Sequence, residues 1–247
     1  IGGATSPERR WVLATDAGGP PPAPHLQVAP RDGAAVAAAL RPETIGAVRL
    51  EPEGGAVGLD SPFYVERDTD RHFREALAGD HAIVLLRGSR QTGKSSLLLR
   101  GAQGARQRGA DVVLTDLGTF HSADFGEPQA LALALGASLA VALGASVLPA
   151  DDWRASLSPN TNLDLYLRRR LLAGRERRLV WMLDDVDRML HCRSGHEVLA
   201  LFRSWHNQRA LDPRGPWSHL SVVLAYATEA HLLITDQNQS PFNVGYR

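Results

Sequence analysis

A three-layer α/β/α sandwich built on a mainly parallel sheet is the fold this sequence predicts, and three observations predict it. Four short apolar runs, Ala82–Leu86, Asp111–Asp116, Leu179–Leu183 and Leu220–Ala227, alternate with longer segments of helical periodicity. Strands separated by helices imply right-handed crossovers and parallel pairing, with ligands held beyond the carboxyl ends of the strands. The first run leads into Gly88-Ser89-Arg90-Gln91-Thr92-Gly93-Lys94-Ser95, a complete G-x-x-x-x-G-K-[ST] pattern, and the third run closes on Asp184-Asp185.

From the N-terminus, residues 1–58 form a linker and extension, and residues 59–247 the main domain. The first thirty positions are rich in Gly, Pro and Ala, and Gly18-Gly19-Pro20-Pro21-Pro22-Ala23-Pro24 supports neither helix nor sheet. A short helix is expected at Ala34–Leu40 and a strand at Ala47–Leu50. Arg67–Leu77 reads as a helix, and Ala82–Leu86, apolar and partly β-branched, as a buried parallel strand. Lys94–Arg108 carries Leu97, Leu98, Leu99, Ala102 and Ala105 before Gly109 and reads as the next helix, followed by the strand Asp111–Asp116. Ala130–Leu148 is uncharged and almost long enough to span a bilayer. Its Leu131, Leu135, Leu139, Leu143 and Val147 fall at i+4 spacing among Ala, Gly and Ser, which is a narrow packing stripe, so a buried helix is expected. Helices at Leu163–Ala173 and Glu197–Arg209 flank the third strand, and Leu220–Ala227 is the fourth.

Lys94 is the one lysine among 247 residues; every other cation of the 27 Lys plus Arg is arginine. A slim ammonium can bridge β- and γ-phosphate oxygens as a point charge where a planar guanidinium would not fit. Loop amides and a helix N-terminus converge on an anion in this strand–loop–helix context. Gly88, Ser89, Arg90, Gln91, Thr92, Gly93, Lys94, Ser95 and Ser96 are therefore the expected phosphate cradle, with the Ser95 hydroxyl on Mg²⁺. This is the P-loop NTPase arrangement, in which the carboxylate ending a hydrophobic strand, here Asp184, holds Mg²⁺ opposite the hydroxyl. Asp185 occupies the place where many hydrolysing relatives carry a glutamate. One methylene shorter, it either polarises the attacking water or is a structural carboxylate beside the metal. Thr228, after the fourth strand, is the candidate γ-phosphate sensor, with an ordinary strand-end threonine as the alternative. Asp187 reads as solvated or helix-capping, and Arg90 as facing a phosphate or a neighbouring subunit.

With 27 basic and 27 acidic residues the formal charge is zero, so no global field calls for nucleic acid or an anionic membrane. A single cysteine, Cys192, excludes an intramolecular disulfide framework, and with no signal peptide opening the sequence a cytoplasmic location is expected. His191, Cys192 and His196 make a poor zinc site. Arg168, Arg169, Arg170, Arg175, Arg177 and Arg178 read as a solvated face with snorkelling stems, the alternative being contact with nucleic-acid phosphates.

Further stretches carry a family resemblance: Leu59-Asp60-Ser61-Pro62-Phe63-Tyr64-Val65-Glu66-Arg67, Asp152-Trp153, Leu157-Ser158-Pro159-Asn160, Trp205-His206-Asn207 and Ser240-Pro241-Phe242-Asn243-Val244-Gly245. With the phosphate loop and the fourth strand, they make the chain resemble the bacterial AAA-like domain of the STAND-related P-loop ATPases, in the AAA+/ASCE division. The resemblance implies ATP with Mg²⁺ and a regulatory switch joined to effector or sensor domains of a longer protein. A homo-oligomer is left open. Adenine rests on the resemblance alone. Asp185 in place of the glutamate frequent in the family implies slow hydrolysis. A lid or winged-helix segment, and a fifth strand beside the first, are expected beyond residue 247. The other function classes considered are a nucleic-acid-associated initiator-like ATPase, a binding-only nucleotide scaffold and a small-molecule kinase; against the kinase stands the lack of an arginine-bearing lid.

Overall fold

The apolar runs become four strands, β1 (Ile83–Arg87), β2 (Asp111–Asp116), β3 (Leu179–Asp184) and β4 (Leu220–Tyr226). They form one parallel sheet in the order β1-β4-β3-β2. The structure is a computed structural model that describes residues 55–61, 64–79 and 81–227. The expected elements at Ala34–Leu40 and Ala47–Leu50, the motif Ser240–Gly245 and Thr228 lie outside the described residues. The chain divides into two units, residues 1–65 and 66–247. In the first, Ser61 N donates to Gly58 O, which closes a tight turn, and Tyr64 N donates to Ser61 O.

In the second unit the helices are α1 (Asp68–Ala78), α2 (Lys94–Gln107), α3 (Pro128–Leu143), α4 (Pro159–Tyr166), α5 (Asp187–Leu190) and α6 (Arg193–Leu211). Side chains alternate across a strand, and the two faces of the sheet are covered by different helices. Val84, Leu86, Val180, Met182, Val223 and Ala225 pack with Phe73, Leu77, Leu97 and Leu98 of α1 and α2. Ile83, Leu85, Trp181, Leu183, Val222 and Leu224 pack with Leu131, Leu135, Leu163, Val198 and Phe202 of α3, α4 and α6. The expected three-layer α/β/α sandwich is the result. The helix α1 approaches α2 so closely at Gly101 that a Cβ there would run into the Phe73 ring.

Strand limits match the sequence expectation to within a residue or so, while helix limits differ for local reasons. Ser158 accepts from Thr161 N and Pro159 follows at the first helical position, so α4 starts four residues before Leu163. It then passes into a π-turn at Leu167–Leu171. Cys192 Sγ accepts from Gly195 N, which starts α6 at Arg193. The stripe helix α3 buries Leu131, Leu135 and Leu139 completely but stops at Gly144, whose φ of 66° is left-handed. Leu143 still packs on the core, whereas Val147 lies past the helix and its carbonyl accepts the Tyr166 hydroxyl at 2.6 Å. Among the described residues no helix is long and apolar enough to cross a membrane.

The arginine stretch before β3 is the solvated face expected of it at Arg168, Arg169, Arg170 and Arg177, but Arg175 and Arg178 are drawn inward. Arg170 pairs with both oxygens of Asp152 at 2.9 and 3.1 Å, which holds that carboxyl below its usual range, and Arg168 lies 3.5 Å from Asp164. Arg175 pairs with Asp111 at the foot of β2. The Arg178 guanidinium donates to Ser221 Oγ and to the Leu77, Gly79 and His81 carbonyls. These arginines face carboxylates and carbonyls of their own chain because a guanidinium presents several donors in one plane.

Candidate functional site

At the end of β1 the chain turns through residues 88–93 and enters α2 directly at Lys94. Two positions in the turn are left-handed, Gln91 at φ 61° and Gly93 at φ 84°. Glycine meets this requirement without strain, and at Gly88 a Cβ would lie 2.8 Å from Thr92 Oγ1. The loop is closed by its own polar groups. Thr92 Oγ1 and Lys94 Nζ both donate to Ser89 O, at 2.8 and 2.9 Å. Ser89, Arg90, Gln91 and Thr92 are exposed, as is Ser95 at the start of α2, while Ser96 is buried at 2%. The first amides of α2 have no intrahelical acceptor and carry the positive end of the helix dipole, a setting that favours an anion.

Parallel pairing brings the loop and the acidic tip of β3 together across 89 positions of sequence: Ser95 Oγ donates to Asp184 Oδ2 at 2.5 Å. Asp184 Oδ1 accepts from the Asp185 amide at 2.9 Å. Asp185 sits at φ 55°, rare for a residue with a Cβ. Its carboxyl is pushed above the ordinary value of 3.8, first by burial and then by Asp187, Asp184 and Asp116; Arg188 opposes the shift. Asp187, expected to be solvated or capping, is 7% exposed at the first position of α5 and accepts from Ala227 N at 2.7 Å. The β4 end is thereby tied to the acidic tip, one residue before Thr228.

Two members of the tip went unmarked in the sequence. Asp116 ends β2 in register with Asp184, and its signal was a second apolar strand closing on aspartate. Arg188 donates to Leu117 O at 2.5 Å and Phe120 O at 2.8 Å, and its guanidinium carbon lies 4.4 Å from the Phe125 ring centre. A cation over an aromatic face and several carbonyls at once pin the segment after β2 to the segment after β3.

The donor set at Ser95 and Asp184 consists of hard oxygens side by side, and Mg²⁺ is held by one or two carboxylates plus phosphate oxygens and water. Among the described residues no group of three or more His, Cys, Asp or Glu is set to hold a metal by itself. Cys192 caps α6, and His196 Nε2 bonds Leu190 O at 2.9 Å.

The family model of the AAA-like domain matches residues 52–247. The chain belongs to the AAA-like domain family. Two solved structures are similar to this AAA-like domain. One is the ORC1 protein of Aeropyrum pernix in complex with DNA, at 17% identity and TM-score 0.45 over 72% of this chain and 43% of that one. The other is a Walker-type ATPase of Pyrococcus abyssi, at 20% identity and TM-score 0.40 over 73% of this chain and 51% of that one. The AAA-like domain thus spans about half the length of these chains or less. Among curated proteins, none matches it. It is a P-loop ATPase domain.

Proposed function

We propose that this domain is an ATP-driven conformational switch, a slowly hydrolysing regulatory module of the STAND-related kind within a longer bacterial protein. The observation that carries the proposal is the junction at 2.5 Å between Ser95 and Asp184, beside a lysine that spends its charge on the Ser89 carbonyl. Both bonds are provisional in chemical terms. A triphosphate would offer Lys94 a charged acceptor in place of a neutral carbonyl, and Ser95 and Asp184 would hold Mg²⁺, which would neutralise phosphate charge. Contacts that differ between two states are what a ligand needs in order to shift an equilibrium.

Slow turnover is supported by Asp185. Next to Asp184, its carboxylate would polarise the attacking water with a shorter reach than glutamate, from a left-handed backbone and with a raised pKa. Thr228, next after the tethered Ala227, is the proposed γ-phosphate sensor. We take residues 1–58 as linker and extension, residues 59–247 as the ATPase domain, ATP and effector or sensor domains as its partners and the cytoplasm as its location. For the nucleic-acid-binding alternative, Arg175 and Arg178 are held within the chain, whereas Arg168, Arg169, Arg170 and Arg177 remain accessible, and DNA affinity that falls steeply with salt is its test.

The test is Mg²⁺-dependent ATP turnover by the purified protein with nucleotide occupancy measured in parallel, and Lys94→Ala as control. Occupancy that disappears in Lys94→Ala while the fold persists, with slow turnover in wild type, is the expected outcome. ATP affinity unchanged by Lys94→Ala would refute the proposal.

A further inference from the structure

The phosphate loop is also held from outside its own sequence motif. Arg67 precedes α1, and its NH1 donates to the Thr92 carbonyl at 2.7 Å across 25 positions of sequence. Its NH2 lies 3.5 Å from where a Cβ on Gly93 would stand. The base of this side chain is fixed: Arg67 N donates to Asp70 Oδ2 at 2.9 Å, Asp70 N donates to Arg67 O at 2.9 Å, and the guanidinium Nε lies 3.7 Å from the same carboxylate. Asp70 is only 2% exposed. Close packing of Phe73 and Leu77 against Gly101 joins α1 to the helix that the loop opens. The donor, itself 43% exposed, is therefore presented from an element packed on the helix that the loop opens.

What this bond controls follows from the peptide unit it grips. The Thr92 carbonyl and the Gly93 N–H lie in one plane and point in opposite directions. That plane turns by changing ψ of Thr92 and φ of Gly93, and a glycine accepts either sign of φ at little cost. A free loop would thus sample orientations in which the Gly93 amide points elsewhere, and a ligand would have to select against them. We propose that Arg67 is a positioning residue for the phosphate loop: by holding the Thr92 carbonyl it locks the Thr92–Gly93 peptide plane, and with it the direction of the Gly93 N–H offered to phosphate. This deepens the proposed ATP-binding role and rests on it for its consequence, though the locked plane itself belongs to the nucleotide-free loop.

The experiment compares wild type, Arg67→Gln and Arg67→Lys in two readouts, the ATP dissociation constant and the NMR order parameter of the Gly93 amide without nucleotide. Loss of one charge-assisted hydrogen bond is expected to weaken ATP binding about tenfold in Arg67→Gln. Arg67→Lys keeps a cationic donor and should recover most of the affinity. The Gly93 order parameter should fall from the rigid range, about 0.85, toward about 0.6 in Arg67→Gln, while the amides of α1 keep their exchange protection. ATP affinity within about twofold of wild type, or an unchanged Gly93 order parameter, would overturn the inference. So would loss of α1 protection, because Arg67 would then act on folding. If wild type itself bound no ATP, the proposed function would fail alone, and the Gly93 order parameter would still decide whether the plane is locked.

Discussion

Asp185 shows what the acidic tip costs at the scale of one residue. A carboxylate at φ 55°, partly buried among Asp187, Asp184 and Asp116, is worse off in the folded chain than in the unfolded one. The sign follows from linkage. A raised folded pKa means that the folded state holds the proton longer, so the group subtracts stability as pH rises past its ordinary 3.8, and fully above the folded value. Asp185→Asn removes the charge and places in the left-handed position a residue that tolerates it. The nucleotide-free variant should therefore melt roughly 1–2 °C higher at neutral pH, a modest gain because solvent screens a partly exposed group. The gain should vanish near pH 3, and turnover should fall far more than ATP affinity. A lower melting temperature at neutral pH would mean that the carboxylate makes a stabilising contact instead. Lys94, Ser95 and Asp184 were legible in the sequence because each belongs to a motif whose chemistry fixes its neighbours. Arg67 and Arg188 were not, since what they grip are backbone carbonyls, which every residue has and no pattern marks.

Between elements, the same division separates what was readable from what was not. Strand limits were readable where two-sided burial demands an unbroken apolar run, as in β4, which is buried along its whole length, whereas β2 at the sheet edge is only partly buried. Helix limits depended on single capping residues. Ser158-Pro159 is a recognisable start, but a cysteine cap such as Cys192 is outside the usual capping set, and only the folded chain shows Gly144 as the stop of α3. The least readable contact between elements is the Arg188 clasp. It joins the end of β3 to the 3₁₀ turn Leu117–Thr119 through three carbonyls and a ring. Arg188→Ala should destabilise the domain by about 1–3 kcal/mol, because part-buried carbonyls lose charged donors and no solvent replaces the ring contact fully. Arg188→Lys should restore less than half of that, since an ammonium cannot serve a fan of acceptors in one plane. Chemical denaturation of the three proteins measures both quantities, and equal stability of wild type and Arg188→Ala would show the clasp to be passive.

Over the whole molecule, the strand order decides how far a nucleotide can be felt. Because β4 lies between β1 and β3, the phosphate loop and the acidic tip flank the end of a third strand instead of meeting across a single hydrogen-bonded pair. Two bonds run from the tip into that strand's end, Val186 N to Ala225 O at 3.0 Å and Ala227 N to Asp187 Oδ2 at 2.7 Å. Through Arg188 the tip also holds the segment after β2. On the proposed reading, a ligand that rearranged Ser95 and Asp184 would act on a hydrogen-bonded network that touches three strand ends, the element such a switch would bias. ATP with Mg²⁺ at about one hundred times its dissociation constant should stabilise the domain by about 2.7 kcal/mol. The added hydrogen-exchange protection should reach beyond residues 88–96 to residues 117–120, 184–188 and 225–227. Lys94→Ala should show neither effect. Protection confined to the loop would mean that the domain holds ATP without relaying its presence across the sheet, and the switch would reduce to a binding scaffold.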